Sequence, residues 1–451
     1  MIDPPMMTDE DDLDSEDYMQ SGLESYFVTQ FGEGDLTGSS WENAMDVTAF
    51  RKLITGSTDL SKSTIYISQG KYVMAEEEGM GPVVRKNIKA IRGGYSPFSE
   101  GTDVSLRDIS AYQTIFSGDV NGNKKADAGD CSLLYIRKGN VLVEGVTFQY
   151  GYVAQKSISV ENFNSGIFLN GSISNTELEL RDCTIRDCIS DVTTTTKHGG
   201  AALFLESGLA KLHNVRMIDN TSNGRGGAIR VNTNTAVVML DACLLSGNAQ
   251  TTSWGNGIQL SSGFICINNS TFVNNAGSGA ALNGGGSFLV VSSTLVGNSS
   301  DAYGAFRCET SAGGDTKLIN NVLVCQSSSS PSFILNGSGK EAFTLGYNVY
   351  QHLSGFSMGS LDTQYTGTLS GNISSEGAYT WSVGEIASLS HFATSSVVID
   401  AAKSFNPATS PITALGEKFV EWVGDEGFAV DMRGSSRNSQ KLQPGAYDAG
   451  L

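Results

Sequence analysis

"AKLHNVRMIDN" (210–220), "VMLDACLLSGN" (238–248), "ICINNSTFVNN" (265–275) and "FLVVSSTLVGN" (288–298) are four versions of one pattern, and "LELRDCTIRDC" (178–188) is a fifth. Each ends on an anchor position: Cys188, Asn220, Asn248, Asn275 and Asn298, with steps of 32, 28, 27 and 23 residues. An apolar residue stands eight before each anchor (Leu180, Leu212, Leu240, Ile267, Val290), and another three before it (Ile185, Met217, Leu245, Phe272, Leu295). The runs are short, apolar and alternating, which is the period of a strand rather than a helix. A second motif follows each anchor: "GAAL" (200–203), "GGAI" (226–229), "GNGI" (255–258), "GAAL" (279–282) and "YGAF" (303–306). Small residues ahead of an apolar one suit a tight bend where backbone packs on backbone.

Several short strands per repeat, and a repeat mostly in the twenties, describe a solenoid. The expected fold class is all-β: a right-handed parallel β-helix. Its coils stack at strand spacing, about 4.8 Å, so equivalent positions form ladders. The Leu-type ladders fill the interior. The Asn220–Asn248–Asn275–Asn298 ladder is expected at a turn, because Asn tolerates the left-handed conformation and stacked amides bond between coils. Cys183 and Cys243 share one inward slot with Val215 between them, two coils apart, which is too far for a disulfide.

Composition bounds the function. The chain has 451 residues, with 47 acids against 29 bases, so its net charge is −18. Nine acids and no base fall in residues 1–25, leaving −9 for the remainder. That leader reads as a solvated, disordered tether. Such acidity argues against nucleic acid and anionic membrane surfaces as partners. No basic-then-apolar start marks a signal peptide. The seven Cys are odd in number and form no CxxC pair, so neither a disulfide framework nor a zinc site is indicated.

The N-terminal words "YFVTQFGEGDLTGSSWENAM" (26–45), "IYISQGKY" (65–72), "IRGGY" (91–95) and "TIFSGDVNGN" (114–123) resemble the secreted or surface-anchored right-handed β-helix proteins of the pectin-lyase-like superfamily. So do "GYNVY" (346–350), "VVIDAA" (397–402) and "AVDMRGSSRNSQKLQPGAYD" (429–448), in which Asp431, Gly434 and Arg437 match a closing signature and Asp448 stands where Glu is usual. The resemblance implies an N-terminal helical cap, here "SSWENAMDVTAFRKLI" (39–54), with Trp41, Ala44, Val47 and Phe50 at helical spacing. It also implies an extracellular or outer-surface location. The expected organisation is a tether (1–25), a cap (26–60), coils (61–345), and C-terminal coils with a closing cap (346–451). From residue 26 onward this is one domain, expected as a monomer. Membrane attachment would be peripheral only, through a removed N-terminal lipid anchor.

Two constellations carry chemistry. In "SGDVNGNKKADAGD" (117–130), Asp119, Asn121, Asn123, Lys125, Asp127 and Asp130 fall at positions one, three, five, seven, nine and twelve of a calcium loop, with Lys125 giving its backbone carbonyl. The loop resembles the dockerin type. Lys124 stands at position six, where Gly makes the sharp turn, and strands rather than a helix follow. Calcium is the one cofactor these residues offer, and the alternative is a polar Asn/Gly/Asp loop projecting from the second or third coil. Ladder logic supplies the catalytic candidates: Asp187 with Asp219, able to share a proton if side by side, and Arg181, His213 and Asp241 in one outward slot. The alternative for that trio is a solvated ladder of mixed charge. The Gly-His-Gly element of the hydrolase branch is absent, and its tandem Asp occurs only at Asp11–Asp12 in the leader. Tyr150, Tyr152, Trp254, Tyr303 and Phe306 are candidates for rings that stack on sugars. These readings give a glycan-binding or adhesive scaffold that meets a polysaccharide or a host or cell-surface glycan. The alternative is a polysaccharide lyase or glycoside hydrolase on an anionic glycan.

Overall fold

A computed structural model describes residues 22–154, 165–192, 199–251, 255–277, 279–300, 306–310, 315–325, 333–337, 342–352, 369–370, 373–376, 395–432 and 435–437. One coil shows the plan. Thr176–Arg181 lies in a first sheet, Thr184–Arg186 in a second, and Ile189–Asp191 in a third. Leu203–His213 then crosses a fourth sheet and re-enters the first. It bends at Gly208, whose φ of +112 is a conformation that L side chains rarely adopt. All the paired strands run parallel.

Both apolar ladders are in register. Leu180 pairs with Leu212, Leu212 with Leu240, Leu240 with Ile267 and Ile267 with Val290. Ile185, Met217, Leu245, Phe272 and Leu295 align likewise in the second sheet. Every one of these residues is buried in one continuous core. Each such side chain contributes roughly 1.5–3 kcal/mol on burial. The Gly-led motif is a bend of the expected kind. Gly200, Gly226 and Gly255 have φ of +67, +78 and +81, and a Cβ there would strike the carbonyl oxygen of Leu203, Ile229 or Ile258. Cys183 and Cys243 are free and buried beside Val215, and burial pushes both thiols up to about 12.

The Asn ladder differs from expectation in one respect. The anchor residues are not the left-handed ones. That conformation belongs to the residue before Cys188, Asn220, Asn248 and Asn275: Asp187, Asp219, Gly247 and Asn274, with φ of 55, 55, 66 and 56. The anchors are instead fully buried and turned inward. Asn220 Nδ2 donates to Asn248 Oδ1 at 2.9 Å, Asn248 Nδ2 to Asn275 Oδ1 at 2.9 Å, and Asn275 Nδ2 to Asn298 Oδ1 at 2.8 Å. Each Oδ1 also accepts the backbone N–H of the preceding coil's anchor. A second polar rail runs along the turn between the first and second sheets. There Cys243 N–H donates to Ser270 Oγ, Ser270 N–H to Ser293 Oγ, Ser293 N–H to Asn321 Oδ1 and Asn321 N–H to Asn348 Oδ1. The residues just before this rail are again left-handed: Ala242, Asn269, Ser292, Asn320 and Tyr347.

At the N-terminus the first strand is Ser25–Val28, so Ser25 belongs to the fold and not to the tether. Residues 1–21 of the tether lie outside the described residues. The cap is shorter than its spacing suggests. Trp41–Asn43 is a 3₁₀ turn, and helix α1 (Val47–Thr55) starts only where Asp46 Oδ1 accepts the Ala49 N–H at 2.7 Å. Phe50, Leu53 and Ile54 form its buried face and join the coil core. Trp41 and Ala44 pack elsewhere, with Phe27 and Tyr95.

The C-terminus departs further. Among the described residues the coils run to Ile373–Glu376, and three helices follow: α2 (Ser395–Lys403), α3 (Leu415–Val423) and α4 (Asp425–Phe428). They lie along the outer face of the first sheet rather than across the end of the stack. Phe405, Phe419 and Phe428 pack there on Val237, Met239, Phe264, Cys266, Leu289 and Val291. Asp431 and Arg437 of the closing signature serve this docking. Asp431 N–H donates to Ser435 O at 2.7 Å, and Arg437 reaches Val430 O at 2.8 Å and Asn269 Oδ1 at 2.7 Å. Gly434 and Asp448 lie outside the described residues. Among the described residues no helix is long and apolar enough to cross a membrane.

Replacing Asn248 by Ala strands the Asn220 N–H and the Met217 carbonyl in the core, at a cost of about 3 kcal/mol in chemical denaturation. By the same measurement Ala242→Gly, which frees a left-handed position of its Cβ, stabilises by about 1 kcal/mol.

Candidate functional site on the outer face of the first sheet

Side chains alternate along a strand, so the residues between the inward ladder positions point outward. In "TELELR" (176–181) these are Glu177, Glu179 and Arg181. Arg181 pairs in register with His213, and His213 with Asp241, so the predicted trio is one stripe on three adjacent coils. The stripe extends further, through Arg92 and Glu144 before it and Asn268 after it.

The trio does not act as one cluster. His213 Nδ1 and Asp241 Oδ2 are 2.9 Å apart, while Arg181 turns aside to Glu179 at 2.7 Å. Asp241 is buried and also accepts from Asn268 Nδ2 at 2.8 Å, next to α4. Its hydrogen bond raises the His213 pKa above the ordinary 6.5, against the opposing effect of burial. Glu144 is held by Arg107 at 2.6 Å and Arg92 at 3.4 Å. The stripe is therefore a mixed-charge ladder that passes from open solvent to beneath the helices.

Asp187 and Asp219 occupy equivalent left-handed turn positions on adjacent coils. Arg186, which the sequence reading left out, places a positive charge beside them. Its Nε donates to Asp187 Oδ2 at 2.6 Å, and both carboxylates raise its pKa, the Asp187 hydrogen bond most.

Beside the stripe is an open groove lined by Asn87, Lys89, Asn140, Leu142, Glu177 and Glu179. Asn87 Oδ1 accepts the Asn140 N–H at 2.8 Å, which fixes that side of the groove. Glu177 pairs with Lys211 at 2.7 Å. Glu179 accepts from Arg181 and, at 3.2 Å, from Trp422 Nε1 of α3, which brings a partly buried indole to the groove. None of the groove residues was singled out from the sequence. The alternation of Glu177, Glu179 and Arg181 was the available signal.

Of the expected sugar-stacking rings, Tyr152 is nearly buried, with its hydroxyl on Asp191 Oδ2 at 3.1 Å, and Phe306 is buried against Phe288. Tyr150 is partly buried at a left-handed turn, and Trp254 and Tyr303 lie outside the described residues. A row of stacked rings, Tyr135–Phe168–Phe204, has centroids 4.6 and 5.2 Å apart, and it is buried.

The 119–130 loop leaves from the second sheet, after Thr114–Ser117, and so does not border the groove. Its base is closed by the Cys131 N–H on Gly118 O at 3.0 Å. Asp119 is buried, and its Oδ2 accepts from Lys71 Nζ at 2.5 Å and the Lys124 N–H at 3.2 Å. Desolvation raises the Asp119 pKa, but Lys71 and then the Lys124 and Gly122 N–H groups outweigh it, and the net shift is downward. Asp130 Oδ1 accepts from the Val120 N–H at 3.0 Å, and its Oδ2 from the Asp127 N–H at 2.9 Å. Asp127 holds Asn121 Nδ2 at 2.9 Å, Asn123 Nδ2 at 2.7 Å and Lys125 Nζ at 3.1 Å. Lys124 adopts φ 63, so position six makes the left-handed turn without Gly.

Residues 114–323 match the family model described as a right handed beta helix region. This chain is a right-handed parallel β-helix. The handedness thus joins the stacked, in-register coils, and the fold implied by the pectin-lyase-like resemblance stands. No curated protein matches the sequence. Among solved structures the chain is similar to the crystal structure of pectate lyase Pel9A, at 13% identity and a TM-score of 0.41, over 96% of this chain and 91% of that chain.

The His213–Asp241 pair has a definite pH signature. A folded-state pKa above 6.5 gives stability that is full below that value and lost as pH rises through the raised one. The melting temperature is expected to fall slightly between about pH 6 and about pH 8, and His213→Gln to remove that slope in a thermal-melt series.

Proposed function

We propose that this β-helix is a secreted or surface-exposed scaffold that binds a neutral glycan along the outer face of its first sheet. The groove beside α3 carries the reading. It offers amides (Asn87, Asn140), paired carboxylates (Glu177, Glu179), one exposed ammonium (Lys89) and the nearby Trp422 indole. Planar donors and acceptors beside an aromatic ring suit sugar hydroxyls and the apolar face of a pyranose. Lys211 and Arg181 already balance the two carboxylates, so the groove has no strong preference for an anionic polymer.

Turnover is the second reading, and the placement of groups favours binding over it. A lyase of the expected kind brings a metal and a basic residue to one substrate. Here the calcium-type loop leaves the second sheet while the groove lies on the first. Its neighbouring base, Lys71, is bound to Asp119.

The test is affinity electrophoresis and calorimetry on neutral and uronic-acid polysaccharides, with unsaturated products and reducing ends followed in parallel. Binding of a neutral polymer, weakened about tenfold by Lys89→Ala combined with Asn140→Ala and unchanged by Arg186→Ala on the second sheet, is expected. Release of products that stops in the groove double variant would replace the binding reading with an enzymatic one.

A further inference from the structure

We propose that residues 119–130 bind one calcium ion, which pins the loop to its coil and takes no part in chemistry at the groove. The decisive atom is Asp119 Oδ1. It is buried and accepts no hydrogen bond of normal geometry, whereas Oδ2 of the same carboxylate has both Lys71 and the Lys124 N–H. A buried carboxylate oxygen without a partner keeps its full desolvation cost, and a cation is what relieves it. The Lys124 N–H reaches Asp119 from across the loop, so the carboxylate faces the loop interior.

The other donors are of the right type. Asn121 Oδ1 accepts the Asn123 N–H, and Asn123 Oδ1 the Lys125 N–H, both at 3.1 Å, so each amide oxygen keeps a second lone pair. Asp127 and Asp130 supply carboxylates at positions nine and twelve, and Lys125 a carbonyl at position seven. Among the described residues no three His, Cys, Asp or Glu side chains are placed to hold a metal by themselves. Half of this donor set is amide and carbonyl oxygen, the chemistry of a hard cation that takes six to eight oxygens, and hence calcium rather than zinc. Binding would draw the Asn121 and Asn123 amide groups off Asp127 and present oxygens in their place. Lys71 would stay on Oδ2, outside the ion.

The consequence is local. Ala126 at the loop's far side packs with Tyr152 and Ala154 of the next coil, so an ordered loop fastens two coils together. This inference stands apart from the glycan reading, and either can fail alone.

Calorimetry with calcium chloride and terbium luminescence sensitised by Tyr152, both on chelator-treated full-length protein, test it. One calcium per chain, a melting temperature raised by calcium, and terbium emission quenched by calcium are expected. Asp127→Ala, a partly exposed site, should weaken binding at least about tenfold while leaving the melting temperature in chelator unchanged. Asp119→Asn should abolish binding. Folded protein that shows no heat, no melting shift and no terbium signal at millimolar metal overturns the proposal. So does calcium binding that survives both substitutions.

Discussion

The structure depends on how each coil satisfies the backbone at its corners. A chain that turns several times per coil buries peptide groups at every bend, away from any strand partner. Here the answer is a side-chain oxygen from the next coil. Asn248 Oδ1 accepts the Asn220 N–H, Asn275 Oδ1 the Asn248 N–H, and Asn298 Oδ1 the Asn275 N–H. The same amides donate back to a carbonyl inside the stack, as Asn248 Nδ2 does to Met217 O at 2.9 Å. The rail therefore fixes register as well as energy, since a slip by one residue would leave several buried groups unmet at once.

Left-handed backbone is the companion cost. The corners on either side of the second sheet adopt it without Gly in most coils, and Asp, Asn, Ser, Ala and Tyr all occur there. The strain, about 1 kcal/mol at each, is offset by the amide bond that follows and by the apolar ladder on either side. That offset explains why so few corners need Gly, and why Gly is concentrated at the bend into the fourth sheet, where a Cβ would meet a carbonyl.

Much of this was legible in the sequence. The ladders could be read because side chains alternate along a strand and the anchors repeat, so Leu180, Leu212, Leu240, Ile267 and Val290 could be stacked on paper. The anchor Asn residues were visible as a ladder, but their conformation was not, because Asn is equally at home in a left-handed turn and in a buried hydrogen-bonded slot. The C-terminal helices were missed for a physical reason. "SSVVIDAAK" is rich in β-branched residues and resembles a strand, and only docking makes it α2. A signal did exist. "AVVMLD" and "FICIN" are apolar at every position but the last, and a strand without alternation is buried on both faces. The groove was hidden because it joins Asn87, Asn140 and Glu177 from successive coils with Trp422, which reaches Glu179 from 243 residues later. The calcium-type spacing was plain, but the idle oxygen of Asp119 depends on where Lys71 sits, 48 residues earlier.

A solenoid is ordinarily a one-dimensional stack in which each repeat senses only its neighbours, so it can fray rung by rung. The helical segment changes that. Its apolar side reaches Leu209, Val237, Phe264, Leu289 and Ile319, which belong to five successive rungs, while Trp422 touches Glu179 on the rung before them. It works as a splint. Opening any one of those rungs loosens the splint from all of them, which turns a ladder of small independent steps into a single cooperative block.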